Sequence, residues 1–140
     1  MVPAVESHDP SSNNVMHGTL QYMIDGLKMQ TNLRKGVLEY CVLAVIAQGK
    51  WYGLDIAQHL HRMDLIASEG SLYPLLSRLR TRGLVTTAWQ ESNEGPPRRY
   101  YSLSSAGADD LKGFIDIWRT FSDSVDRVLS NTTNNEKGAG

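Results

Sequence analysis

The sequence predicts a mainly helical fold with one small β-hairpin, and three observations carry that expectation. Apolar residues return at spacings of three and four through five segments, the period of a helix with one buried face. Between Leu84 and Leu103 that period is lost, and β-branched and aromatic residues stand on either side of a polar turn segment. The longest uninterrupted apolar run, Cys41 to Ala47, spans seven residues, against roughly 20 for a membrane-spanning helix. The apolar content therefore belongs to a packed core, and no membrane partner is expected.

Each element has its own signal. Residues 15–31 form an extra N-terminal amphipathic helix, with Met16, Leu20, Met23 and Leu27 on one stripe, Ile24 alongside, and Gly18 and Gly26 weakening it. The next helix, from about Asn32 to Gln48, places Val37, Leu38, Cys41, Val42, Val45 and Ile46 in the core, and Gly49 is expected to stop it in a left-handed conformation. Lys50-Trp51-Tyr52 leads into a short helix from Gly53 to Arg62 carrying Leu54, Ile56, Ala57 and Leu60. Ser68 is the expected cap of a further helix reaching Arg82, with Leu72, Leu75, Leu76 and Leu79 on one face; Pro74 distorts or delays its start and Gly83 ends it. Strands over 84–91 and 98–103 flank the turn Ser92–Pro97. The last helix, 105–129, repeats Leu111, Ile115, Trp118, Ser122, Val125 and Leu129 at alternating spacings of four and three, with Phe114, Phe121 and Val128 broadening the stripe. Residues 1–14 and 130–140 are polar and aperiodic, and read as disordered tails.

Composition narrows the function classes. The 14 basic and 15 acidic residues give a net charge of −1, yet residues 33–104 carry nine basic against six acidic side chains while both flanks are acidic. Nothing from Gly70 to Thr87 is acidic, and Arg78, Arg80 and Arg82 fall in that window, with Arg98 and Arg99 soon after. A positive middle suits a phosphate-backbone partner, although a solvated helix face has the same composition. One cysteine excludes an intrachain disulfide framework, and the start of the chain lacks a basic stretch followed by an apolar core, so a cytoplasmic location is expected. No Gly-rich phosphate loop, Gly-x-Ser-x-Gly elbow or paired carboxylates argue for an enzyme. His59 and His61 stand two apart and point to different faces of a helix, His8 and His17 lie in or next to the polar leader, and Cys41 is on an apolar face. No metal and no cofactor are expected.

Three helices followed by a hairpin is the order of a winged helix-turn-helix over residues 32–104, in which the third helix enters the major groove and the hairpin flanks it. On a wheel of about 100° per residue the helix from Ser68 to Arg82 sets its leucines opposite Gly70, Pro74, Ser77 and Thr81. Ser71, Arg78 and Arg82 form one shoulder of that exposed face, and Tyr73 with Arg80 the other. Small residues permit close approach to base edges, while arginines and hydroxyls hold phosphates. Arg98 and Arg99 are expected at the tip of the wing, contacting phosphates or merely solvated, and Tyr52-Gly53 offers backbone N–H groups at a helix start, as a phosphate site or a simple cap.

These residues carry a resemblance. Tyr52-Gly53-Leu54-Asp55-Ile56, Gly70-Ser71-Leu72-Tyr73-Pro74-Leu75-Leu76-Ser77-Arg78-Leu79, Gly83-Leu84-Val85 and Arg99-Tyr100-Tyr101-Ser102-Leu103-Ser104-Ser105-Ala106-Gly107 resemble the PadR-like transcriptional regulators, over about Leu33 to Leu129. The resemblance implies a homodimeric winged helix-turn-helix with a C-terminal dimerisation helix, binding double-stranded inverted-repeat operator DNA. The N-terminal helix departs from the shortest family pattern, and its apolar stripe, which must bury against something, is expected to make it a second dimerisation helix. The resemblance also implies repression that is relieved by a small-molecule or stress signal. The recognition-helix positions it assigns are Ser71, Tyr73, Pro74, Ser77 and Arg78, with Arg98, Arg99 and Tyr100 in the wing. Tyr73 either stacks on the sugar-phosphate backbone or packs between helix and wing. The single C-terminal helix resembles the short subfamily, whose multidrug-binding members stack flat aromatic ligands between tryptophans at the dimer interface. Trp118 matches that position, with Phe114, Ile115 and Phe121 around it, for a flat aromatic or nucleotide effector or for dimer packing alone. The dimer stripe comprises Met16, Leu20, Met23 and Leu27 together with Leu111, Ile115, Trp118, Val125 and Leu129. A winged helix serving as a protein-interaction scaffold without an operator is the alternative, and tolerance to neutralising Arg78, Arg98 and Arg99 separates the two.

Overall fold

The computed structural model describes residues 3, 4 and 10–138. Two compact units divide the chain, residues 1–37 and 38–140. The first unit is one helix, α1 (Pro10–Arg34), opening on a proline that needs no amide partner there. It begins within the expected leader and runs past the expected boundary at residue 32. The break falls at Lys35–Val37, where Gly36 takes φ +82°, a left-handed turn that a glycine adopts without steric cost.

The second unit holds α2 (Leu38–Ala47), β1 (Trp51–Tyr52), α3 (Gly53–Arg62), a 3-10 turn over Glu69–Ser71, α4 (Leu72–Thr81), β2 (Val85–Ser92), β3 (Gly95–Leu103) and α5 (Ser105–Gly138). This is a winged helix-turn-helix with a long C-terminal helix. Helix α2 is apolar on nearly every side and buries Val42, Leu43, Val45 and Ile46. Around it close Ile56, Ala57 and Leu60 of α3 and Leu72, Leu75, Leu76 and Leu79 of α4. Leu84, Val85, Tyr101 and Leu111 complete the core.

Both helices of the helix-turn-helix end in a Schellman motif. After α3, Asp64 takes φ +58°, its N–H donates to the His61 carbonyl at 3.1 Å, and Leu65 N–H donates to the Leu60 carbonyl at 3.0 Å. After α4, Gly83 does the same with φ +74°, the N–H groups of Gly83 and Leu84 reaching the carbonyls of Arg80 and Leu79. Gly83 therefore ends its helix as expected. Gly49 does not, because positive φ is confined among described glycines to Gly36, Gly83 and Gly95. Helix α2 closes instead through tight bonds from Gln48 N–H to the Val45 carbonyl and from Gly49 N–H to the Ile46 carbonyl.

Helix α4 starts at Leu72, three residues past the start expected after Ser68. Pro74 then sits in its first turn, where the missing N–H is not needed. Ser68 accepts through its carbonyl, from Ser71 N–H at 3.2 Å and Ser71 Oγ at 2.7 Å, rather than capping with its own hydroxyl.

The hairpin is longer than the alternation suggested. Val85 pairs with Leu103 through to Trp89 with Arg99 and Gln90 with Arg98, and after an irregularity Ser92 meets Gly95. The turn is reduced to Asn93–Glu94. Residues 96 and 97, although both proline, lie in β3. The two-residue β1 adds a third strand, Trp51 opposite Tyr101 and Tyr52 opposite Tyr100, making the order β1-β3-β2. So short a strand carries no period of its own.

Helix α5 is anchored at its start. Ser104 caps it, its Oγ accepting from Gly107 N–H at 3.0 Å and donating to the Gly83 carbonyl at 2.6 Å. At Gly107 a Cβ would collide with the Leu84 carbonyl, so only glycine lets α5 approach the backbone just ahead of β2 this closely. The helix continues over 34 residues to Gly138, beyond the end expected at 129, because extending an existing helix costs far less than nucleating one. Of the two expected disordered tails, residues 10–14 and 130–138 are helical. Residues 1–2, 5–9 and 139–140, with His8 among them, lie outside the described residues.

Candidate nucleic-acid interface

Four buried leucines fix the inner side of α4, and Tyr73, Pro74, Ser77, Arg78, Arg80 and Thr81 stand exposed. Tyr73, Ser77 and Arg80 follow one another at spacings of four and three, and so share a single face. Arg80, which the sequence sets with Tyr73 on one shoulder of the exposed face, is thereby aligned with Ser77 as well. Two of the face's hydroxyls are engaged by backbone, Ser71 Oγ with the Ser68 carbonyl and Thr81 Oγ1 with the Ser77 carbonyl at 3.0 Å.

The shoulder arginines are tied down. Arg82 Nη1 lies 2.8 Å from Glu39 Oε2, Arg78 Nε lies 3.6 Å from Glu39 Oε1, and Arg82 Nη2 reaches Asp110 at 4.0 Å. Sequence reading placed Arg78 toward DNA but missed its partner, because Glu39 stands nearly forty residues earlier and only the packing of α2 on α4 brings it there.

On the wing, Arg98 and Arg99 are not at the tip. They pair with Gln90 and Trp89 partway along the strands, and the tip itself is Asn93–Glu94, with an acidic side chain. Alternation along β3 sends the two arginines to opposite faces. The Arg98 guanidinium lies over the Tyr52 ring, 4.5 Å from its centroid, and Tyr52 meets Tyr100 edge-on at 5.7 Å. On the other face the Arg99 guanidinium lies 4.7 Å from the centre of the Trp89 ring, with its Nε buried and lacking a hydrogen-bond partner. Trp89 is a residue that sequence reasoning passed over, and the cross-strand register explains its place.

Between helices and wing opens a shallow cleft of about 190 Å³, lined by Tyr52, Gly53, Leu54, Tyr73, Arg98, Arg99 and Tyr101. A Cβ on Gly53 would stand 3.2 Å from Tyr73 Cε1, so Tyr73 packs over the start of α3. It nonetheless leaves 48% of its surface exposed. Tyr52 makes no side-chain cap bond at that helix start. The cleft thus joins a helix N-terminus, two cations and several aromatic rings, a combination suited to a phosphate backbone.

The second surface is α5. Tyr40 of α2 stacks on Phe114 with ring centroids 4.1 Å apart and planes 3° apart. Phe114 continues to Trp118 at 5.8 Å and Trp118 to Phe121 at 6.4 Å. Phe114, Trp118 and Phe121 therefore form one row, which Tyr40 extends; Ile115 lies beside it. Leu111, assigned to the dimer stripe, is buried in the chain's own core at 8% exposure. Trp118, Val125 and Leu129 remain open, Phe121 is 60% exposed, and Met16, Leu20, Met23 and Leu27 on α1 are likewise exposed. Partial burial pushes the Cys41 thiol above its ordinary value, which favours the protonated thiol over the thiolate. Among the described residues no three His, Cys, Asp or Glu side chains gather as a metal site, and no helix is long and apolar enough to cross a membrane.

The sequence model of the transcriptional regulator PadR-like family matches residues 42–113, about half the chain. A crystal structure of a PadR-like transcriptional regulator from Bacillus cereus is 35% identical, covering 70% of this chain and 96% of its own, with a TM-score of 0.64. The chain belongs to the PadR-like family of transcriptional regulators. It is accordingly a DNA-binding regulator and not an enzyme, which decides against a scaffold without DNA. A PadR family regulator from Eggerthella lenta is 27% identical with a TM-score of 0.69, over 79% of this chain and 96% of its own. Bacillus subtilis PadR, solved in complex with operator DNA, shares the fold at 23% identity and a TM-score of 0.52, over 57% of this chain and 47% of its own.

Proposed function

We propose that this PadR-like protein is a homodimeric repressor that places α4 of each protomer in the major groove of an inverted-repeat operator, and that a flat aromatic or nucleotide effector releases it. The observation that carries the reading is the long exposed apolar stripe on α5, from Ile115, 36% exposed, through Phe121 to Val128, 67% exposed. Such a face is costly in water, and a second copy of the same helix buries it isologously. A two-fold dimer then reads two half-sites of opposite orientation. Ser71, Tyr73, Pro74, Ser77, Arg78 and Arg80 face the groove, while Arg98, Arg99, Tyr100, Tyr52 and Gly53 hold flanking phosphates. The half-open row of Phe114, Trp118 and Phe121, with Ile115, supports stacking of a planar effector at the dimer interface. Occupation of the operator blocks transcription.

The test starts from a duplex that the wild-type protein enriches from a random-sequence library. Footprinting is expected to show paired half-sites, and sedimentation a dimer. Ser77→Glu is expected to abolish binding of that duplex while leaving the dimer intact, because it sets a carboxylate against phosphates. Normal binding by this variant would remove α4 from the groove, and a monomeric wild type would remove the inverted repeat.

A further inference from the structure

We propose that Glu39 is a positioning residue that sets DNA specificity, holding Arg78 back from random-sequence DNA and yielding it where α4 is seated on its operator. The inference rests on the reading that α4 enters the groove. Glu39 stands in the first turn of α2, where the helix dipole favours its charge. Its carboxylate serves two arginines of α4 unequally. Arg82 makes a hydrogen bond of 2.8 Å, whereas Arg78 sits 3.6 Å away through Nε, outside good hydrogen-bond range. Arg82 also has Asp110 within 4.0 Å.

That inequality has a consequence for exchange. When Arg78 leaves, Glu39 keeps its bond to Arg82, so no carboxylate is stranded. The Arg78 side chain is 62% exposed, against 50% for Arg82 and 29% for Glu39. Arg78 follows Ser77 on the helix, about 100° around from it, at the edge of the proposed groove face. Exposed ion pairs are weak, so transfer of Arg78 from carboxylate to phosphate is finely balanced, and the position of the phosphate decides it. With α4 seated, a phosphate lies within reach of that edge. On random DNA the helix is not seated and Arg78 stays on Glu39. Glu39 thereby lowers affinity for the wrong DNA more than for the right one.

The experiment measures fluorescence anisotropy with the full chain on two duplexes across a salt series. One is the duplex that wild type enriches from a random-sequence library, and the other is a scramble of it. Glu39→Gln is expected to bind the scramble about two- to fivefold more tightly. Its salt slope on the scramble should steepen by up to about 0.9, one further phosphate contact. The enriched duplex should change less, so discrimination falls. In the Arg78→Gln background, Glu39→Gln should have no effect. Unchanged binding of the scramble would overturn the proposal. So would a gain that persists without Arg78, or equal weakening on both duplexes. Should Glu39→Gln not stay folded, Arg78→Gln alone decides: an unchanged affinity for the scramble supports the proposal and a loss overturns it. If wild type enriches no duplex, or Ser77→Glu binds the enriched duplex normally, the α4 reading fails and this inference with it. If wild type discriminates and Glu39→Gln does so equally, only this inference fails.

Discussion

The winged core and the distal half of α5 are built from similar residues and end in opposite environments. In the core, α2 surrounds itself with α3, α4, the sheet and the first turns of α5, and Leu43, Ile56, Leu60 and Leu72 are fully buried. Past Leu111 the same kind of apolar spacing continues, yet Phe121 and Val128 lie 60% and 67% exposed. Periodicity states that a face is to be buried and is silent about which chain buries it. The core obtains its partners from within residues 38–111, and distal α5 extends past them.

That contrast can be broken at three points. Leu43→Ala, inside α2, is expected to cost about 2–5 kcal/mol in urea unfolding, with the loss independent of protein concentration. A cost under about 1 kcal/mol would show that the site is not packed as described. Phe121→Asp should leave the helical circular dichroism of the winged core in place while weakening dimerisation at least tenfold, about 1.4 kcal/mol, in sedimentation equilibrium. If association is unaffected, the exposed stripe is not the dimer surface. Ser104→Ala, at the junction of the two regions, removes the cap on Gly107 and the bond to Gly83 and should cost about 1 kcal/mol in thermal unfolding. Unchanged stability there would mean that the backbone bond from Ser104 N–H to the Leu84 carbonyl holds the start of α5 without it.

Much of the fold was legible because its signals are local. The helix over 53–62, the stop at Gly83 and the four leucines of α4 follow from spacing and a single glycine. The helical extent of α5 was underestimated because residues 130–138 have no apolar period, and continuation of a helix needs none. β1 went unseen because Trp51 and Tyr52 become a strand only when β3 lies beside them. In the interface, the face of α4 was readable from its wheel. The partners of the side chains were not: Glu39 beside Arg78 and Tyr40 on Phe114 are brought together by packing between elements distant in sequence, and Trp89 meets Arg99 through the register of the hairpin. The wing arginines were misplaced to the tip for a related reason. Pro96 and Pro97 look like turn residues, but β3 carries them, and the turn shrinks to Asn93–Glu94.

By itself, then, the amino-acid order determined a helical chain with one hairpin, a positive middle segment and a family of DNA-binding regulators. These properties reside in the period, charge and short motifs of contiguous residues. Only the tertiary structure decided that Arg78 and Arg82 share one carboxylate, that Tyr52, Gly53, Tyr73 and the wing arginines line one cleft, and that Gly107 must lack a side chain. Each of these depends on distances between segments, which the sequence does not encode locally, and the packing of α2, α4, the sheet and α5 sets them.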